Sequence, residues 1–118
     1  MSKGGRSLAH GQPFLVVRAH IDDAVRSQFR EWYRTIHRPH MLAIPGIAAA
    51  YAIRRPTGPL NWQTLFEFAP GSEIQAALQS PQAQQAREDW ATWADHVSEL
   101  SIEVYVALGA LPAFHHWN

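Results

Sequence analysis

Cysteine is absent from this chain. That excludes a disulfide framework, a thiolate nucleophile and every cysteine-based zinc or iron–sulfur site. It agrees with a reducing compartment. A charge bias is missing too: Lys plus Arg number 10, and so do Asp plus Glu. No net field draws the chain toward nucleic acid or an anionic membrane. Basic and aromatic residues do mingle between positions 26 and 34, but Asp22, Asp23 and Glu31 accompany them, which disfavours single-stranded nucleic acid. No apolar run reaches the roughly 18 residues that a membrane-spanning helix needs. Met1 to Gln12 carries Lys3 and Arg6 with no apolar stretch behind them, so it does not read as a secretory signal. The expected compartment is the cytoplasm. There is no internal repeat, no low-complexity tract, no glycine-rich phosphate loop, no G-x-S-x-G elbow and no H-E-x-x-H pair. Ser7, Ser27 and Ser101 have no nucleophile context around them. No metal and no cofactor is expected.

What remains is one domain's worth of chain, 118 residues with seven histidines. A chain of this size buries roughly 65% of the surface it exposes when unfolded, enough for a core without staples. Residues 1–12 read as a flexible arm, 13–110 as the domain, and 111–118, with His115 and His116, as an unpatterned tail.

Phe14 to Ile21 alternates as a strand, with Leu15, Val17, Ala19 and Ile21 on a wholly apolar face. Phe14, Val16, Arg18 and His20 form the other. Asp22 or Asp23 is placed to cap a helix. Val25, Phe29, Trp32, Tyr33 and Ile36 then recur at helical spacing, opposite Arg26, Arg30 and Arg34. Pro39 pushes Arg38 out of the helical region, so this helix is expected to end near His37. Pro45-Gly46 is a turn signal. Ile47 to Arg54 is a strand weakened by its alanines, three of them consecutive, Arg55 to Pro59 a hairpin loop, and Asn61 to Phe68 an aromatic strand. Ser72 to Gln79 reads as a short helix. Ser80-Pro81 starts another, with Ala83, Ala86, Trp90, Trp93, Ala94 and Val97 on its buried face. Leu100 to Leu108 is the last strand.

The order strand, helix, strand, strand, helix, strand is the split βαβ, or ferredoxin-like, plan of the α+β class. It predicts a four-stranded antiparallel sheet with both helices on one face. Phe14, Val16, Trp62 and Tyr105 are available to the bare face, which invites a second copy packed sheet to sheet.

The segment His37-Arg38-Pro39-His40, with Pro45-Gly46 close behind, is the leading site candidate, because rigidly held chain reversals are where small domains place chemistry. Four features together resemble the EthD-like branch of the dimeric α/β-barrel superfamily, named for ethyl tert-butyl ether degradation. They are an aromatic first helix ending in His-x-Pro (His37, Pro39), Pro45-Gly46 before the second strand, a third strand ending in Glu67-Phe68, and a second helix bearing Trp90 and Trp93. The resemblance implies a cavity for a small, largely apolar molecule, between sheet and helices or inside a dimer barrel. It also implies a role for His37. Members include lactone isomerases, polyketide cyclases, cofactor-free monooxygenases and haem-handling enzymes, so the fold alone does not choose the chemistry.

At a helix C-terminus the dipole favours imidazolium, which raises the expected pKa of His37 and suits an acid–base role. The competing reading is a histidine that caps free carbonyls. His40 is expected to be a loop residue facing water, since Pro39 breaks the register between the two. Arg18 could bind a carboxylate or enolate oxygen, or form an inter-subunit salt bridge. His20 would share that interior, with Glu67 and Glu103 as the acidic partners on offer. Tyr51 and Tyr105 could polarise a carbonyl. Trp62, Trp90 and Trp93 would line a pocket or simply fill the core. Asn61, Trp62 and His96 match loosely the Asn, Trp and His that cofactor-free monooxygenases and haem-degrading relatives use. The leading expectation is a small-molecule enzyme, an isomerase, cyclase or lactone-rearranging type, in which His37, Tyr51 and Arg18 do the chemistry and His20, Trp62, Glu67, Trp90, Trp93 and His96 hold a hydrophobic or aromatic carbonyl compound. The alternatives are a non-catalytic binding protein of the same fold and a cofactor-free monooxygenase.

Overall fold

A computed structural model describes residues 11–54 and 57–108. The chain runs β1 (Pro13–Ile21), a 3-10 turn (Asp23–Val25), α1 (Arg26–Trp32), a π-helical turn (Tyr33–His37), α2 (Arg38–Leu42), β2 (Ile47–Ala52), β3 (Trp62–Phe68), α3 (Ile74–Leu78), α4 (Pro81–Asp89), a second 3-10 turn (Trp90–Trp93) and β4 (Val97–Val106). The four strands form one antiparallel sheet in the order β2-β3-β1-β4. This is the ferredoxin-like α+β architecture expected from the element order.

The alternation of β1 explains where the core sits. Leu15, Val17, Ala19 and Ile21 point to the helices and are at most 4% exposed. Phe66, Phe68 and Phe29 close over them and are fully buried. Each such side chain contributes about 1.5–3 kcal/mol by leaving water. The other face of the sheet carries Phe14, Val16 and Arg18 of β1, with Glu67, Leu65 and Gln63 beside them on β3 and Tyr105, Glu103 and Ser101 on β4. Trp62 does not belong to that face. It packs on the helical side against Phe29 and Tyr33, with ring centroids 4.9 Å from each.

The first helix does not stop at His37. Arg38 keeps helical dihedrals (φ −60°, ψ −45°), and its N–H reaches back five residues to the Tyr33 carbonyl. In a regular α-helix Pro39 would lack a hydrogen bond and its ring would press on the carbonyl four residues earlier. The widened π turn absorbs that conflict, and Pro39 becomes the second residue of a new helical segment, where no N–H is required. The helix therefore continues to Leu42 and carries His40 with it.

Smaller departures have local causes. Neither Asp22 nor Asp23 caps the helix by a side-chain hydrogen bond, because a 3-10 turn intervenes. Ser80 does cap α4, accepting from the Ala83 N–H at 3.1 Å. Ser72 instead donates to the Ala69 carbonyl, and α3 starts at Ile74. β2 ends at Ala52, two residues short of Arg54. β4 starts three residues before Leu100, because Glu99 adopts a left-handed φ of 55° beside a register shift between Arg18 and His20. That bulge breaks the two-residue alternation by which the strand would be recognised. Gly46 has φ 93°, and a Cβ there would lie 2.8 Å from Ser72 Oγ, so the Pro45-Gly46 turn needs its glycine. At the start of the domain Gln12 is already buried, and its carbonyl accepts from the Ala107 N–H. Residues 1–10 of the expected arm, Arg55 and Pro56 of the hairpin loop, and the expected tail lie outside the described residues.

Candidate functional site

Two places on the first helix concentrate chemistry. The first is the seam with α4. Asp89, the last residue of α4, is buried, and its Oδ2 accepts from His37 Nδ1 and from His40 Nδ1, each at 2.8 Å. Its Oδ1 accepts from Gln85 Nε2 at 3.2 Å. The π turn makes this convergence possible, since His40 comes round to the same oxygen as His37. His37 is 1% exposed. Its ring stacks on Trp32 (5.3 Å, 13° between planes) and meets the Trp90 ring at 5.1 Å.

This environment reverses the expected protonation of His37. Burial pushes its pKa down, and the Asp89 carboxylate opposes this only in part, so the imidazole lies below its ordinary value. Burial also pushes the Asp89 carboxyl up, but the hydrogen bonds from His37, His40 and Gln85 outweigh it and hold the group below its ordinary range. At neutral pH His37 is thus a neutral imidazole donating its Nδ1–H to a carboxylate, which leaves Nε2 as the basic nitrogen. His40 is bound to the same carboxylate and half-buried, not a free loop residue facing water.

The second place is a cavity of about 790 Å3 between the first helix and the β2–β3 edge of the sheet. Its walls include Tyr33, Arg30, Arg38 and Leu42 from the helix, residues 48–54 from β2 and the turn beyond it, and residues 61–64 at the start of β3. The hollow has room because β2 presents Ala50 and Ala52 to it, where larger side chains would fill the space. Tyr33 Oη donates to Thr64 Oγ1 at 3.0 Å. Burial holds its phenol above the ordinary value, so it stays a donor at neutral pH.

The residues singled out from sequence do not converge on one point. His37 is sealed behind Tyr33, whose ring centroid lies 5.1 Å from the imidazole and 4.9 Å from Trp62. Trp62 and Tyr51 line the cavity. Trp90 and Trp93 instead pack on Phe29, at 5.8 and 5.3 Å. Arg18 lies on the open face and pairs with Glu103 of its own chain at 2.7 Å, so its partner is intramolecular. Tyr105 donates to the same Glu103 oxygen at 2.7 Å, and these two hydrogen bonds hold that carboxyl below its ordinary value. Glu67 is buried and accepts from Tyr51 Oη at 3.3 Å and from Gln12 Nε2 at 3.0 Å. His20 is on the open face opposite Ser98. His96 faces Asp22, with Nδ1 3.4 Å from Oδ2. Asn61 is engaged on both sides by the Ile21 backbone, so the Asn61, Trp62 and His96 set is not assembled around one space.

Sequence reading missed His40 and Asp89. A signal for Asp89 was present: it lies three residues after Ala86 on the apolar face of α4, where an acidic side chain needs a buried partner. Of the cavity's arginines the sequence places only Arg30 on the wet stripe, with Arg38 at the break before Pro39 and Arg54 at a strand end, because the hollow beside them depends on how β2 packs.

No protein-family model matches this sequence, and none of the curated proteins does. Solved structures do match. An ethyl tert-butyl ether degradation (EthD) family protein from Bacillus halodurans superposes with a TM-score of 0.61 at 16% identity, covering 78% of this chain and 96% of its own. A single-substitution mutant of SnoaB, a cofactor-independent oxygenase from Streptomyces nogalater, superposes with a TM-score of 0.60 at 13% identity, over 86% and 98%. A dimeric ferredoxin-like protein of unknown function from Thermobifida fusca gives 0.61 at 12% identity, over 90% and 100%. The chain therefore has the ferredoxin-like fold of the dimeric α/β-barrel proteins. Its resemblance to the EthD-like branch holds at the level of fold. Among the described residues no helix is long and apolar enough to cross a membrane.

Proposed function

We propose that the protein binds a small, ring-bearing organic molecule in the cavity between the first helix and the β2–β3 edge. The observation that carries this reading is the hollow itself. Its volume of about 790 Å3 lies within the roughly 300–1,000 Å3 usual for small-molecule sites. Tyr33 and Trp62 supply aromatic walls, and Thr64 supplies a hydroxyl. Ring compounds of naphthalene size should quench the tryptophan emission of the protein. Ala52→Trp, at an exposed lining position, should abolish that quenching while leaving the unfolding transition in place. Retained binding in this variant would place the ligand elsewhere.

A second reading adds chemistry. Asp89 fixes the tautomer of His37 and leaves Nε2 basic, which suits proton transfer next to a carbonyl in an isomerase, cyclase or lactone-rearranging reaction. In this reading Tyr33 must move aside for the base to meet a ligand in the cavity. Arg18, paired with Glu103 on the opposite face, has no part in it. Oxygenase chemistry of the kind named for SnoaB is the competing activity, and oxygen uptake with a phenolic ligand would select it.

We further propose a homodimer through the open sheet face. Phe14 and Tyr105 stack there at 5.3 Å, and Tyr105 is 39% exposed. Light scattering should give twice the mass of the chain; a monomer at micromolar concentration would refute this arrangement.

A further inference from the structure

The described arginines fall into two groups. Arg18 pairs with Glu103, Arg26 with Asp23, and Arg34 with Glu31. Arg87 donates to the Leu78 carbonyl and to Gln84 Oε1, both at 2.9 Å. The side chains of the other three described arginines, Arg30, Arg38 and Arg54, have no hydrogen bond or ion pair among the described residues. All three line the cavity, and no Asp or Glu lines it. Among the described residues, the unpaired guanidinium groups therefore gather around one hollow that no carboxylate lines.

Two chemistries line the cavity. Tyr33, Trp62, Leu42 and the β2 alanines make an apolar bed for a ring. Arg30 and Arg38 reach it from the helix and Arg54 from the turn beyond β2. A guanidinium presents a rigid fork of donors matched to a carboxylate or to another delocalised oxyanion. A neutral ligand would leave three like charges around one apolar hollow. An acidic ligand would compensate them and give each donor an acceptor.

We infer that the cavity is selective for organic anions: molecules with an aromatic body seated on Tyr33 and Trp62 and an ionised oxygen acid, a carboxylate or an enolate, held by Arg30, Arg38 and Arg54. This rests on the proposed binding cavity and names the class of ligand it takes. It also moves the anion-recognition role from Arg18, which already has its carboxylate, to three arginines on the other side of the sheet edge.

Titration calorimetry with 2-naphthoate and 2-naphthamide separates the two ideas, since the ligands share a ring and differ in charge. The expected result is binding of naphthoate about tenfold or more tighter than naphthamide. The preference should shrink when salt rises from about 50 mM to about 500 mM. Combined Arg30→Gln, Arg38→Gln and Arg54→Gln should reduce naphthoate to the level of naphthamide, and Arg87→Gln should change neither. The three substituted positions are exposed, so the variant should unfold at a denaturant concentration close to that of the parent. Equal binding of the two ligands to the unmodified protein would overturn the anion selectivity and leave the cavity reading standing. Binding of neither would overturn both.

Discussion

The two sides of the first helix obey opposite rules. Toward α4, Trp32, Tyr33, His37 and Trp90 fill the space ring against ring, and each imidazole Nδ1 has a carboxylate oxygen at 2.8 Å. Toward β2, alanines leave a hollow and three arginines have no counter-ion among the described residues. One side is dry, paired and closed. The other is open, cationic and unfilled. The difference teaches that the residues most conspicuous in the sequence, the histidines around Pro39, are built into the rigid side. The side able to accept a ligand is marked by small residues that look featureless.

Removing the shared acceptor tests that contrast most severely. Asp89→Ala strips a buried carboxylate from two imidazole donors and strands His37 without a partner. Hydrogen bonds to a charged group are worth about 1.5–3 kcal/mol each, and a buried donor left unmet adds to the loss, so the cost should be about 3 kcal/mol or more. Urea unfolding would read it as a lower midpoint with an unchanged slope. Arg38→Gln, four residues from Arg34 on the same helix but facing the hollow, should stay within about 0.5 kcal/mol of the parent. Equal losses in the two variants would erase the distinction between a structural side and a vacant one.

Much of this was legible in the sequence, and the limits have physical reasons. The βαββαβ order and the buried face of β1 follow from local alternation, which burial then enforces. Ser80-Pro81 marks its helix start unambiguously because the cap is made by neighbouring residues. Pro39 misled because its usual effect was cancelled by a wider turn, and no local rule announces a π turn. Glu99 hid the start of β4 because a bulge destroys alternation. Asp89 and His37 are fifty-two positions apart, and their contact exists only once α4 docks on the first helix. The cavity was the least legible feature, since it is an absence of volume created jointly by α1, β2 and β3.

The sealed state of His37 has a consequence for stability against pH. Its ordinary pKa is 6.5, and burial lowers it in the folded protein despite the Asp89 hydrogen bond. The unfolded chain therefore takes up this proton more readily than the folded one. The stabilisation is fully present above pH 6.5 and is lost as pH falls from there through the lowered folded value. Asp89 acts with the same sign, but only below its own ordinary value of 3.8, so between these two values it adds nothing to the loss from His37. The slope from one group is at most about 1.4 kcal/mol per pH unit. Urea midpoints measured from pH 7.5 down to pH 5 should decline in the parent, and His37→Gln, less stable at every pH, should lose that part of the decline. A proton NMR titration of His37 should show the imidazole still neutral where an exposed histidine is half-charged. A flat profile in the parent, or an undiminished decline in His37→Gln, would mean that the imidazole is charged in the fold, and the seam would then be an ion pair open to water, more like the cationic side of the helix than its opposite.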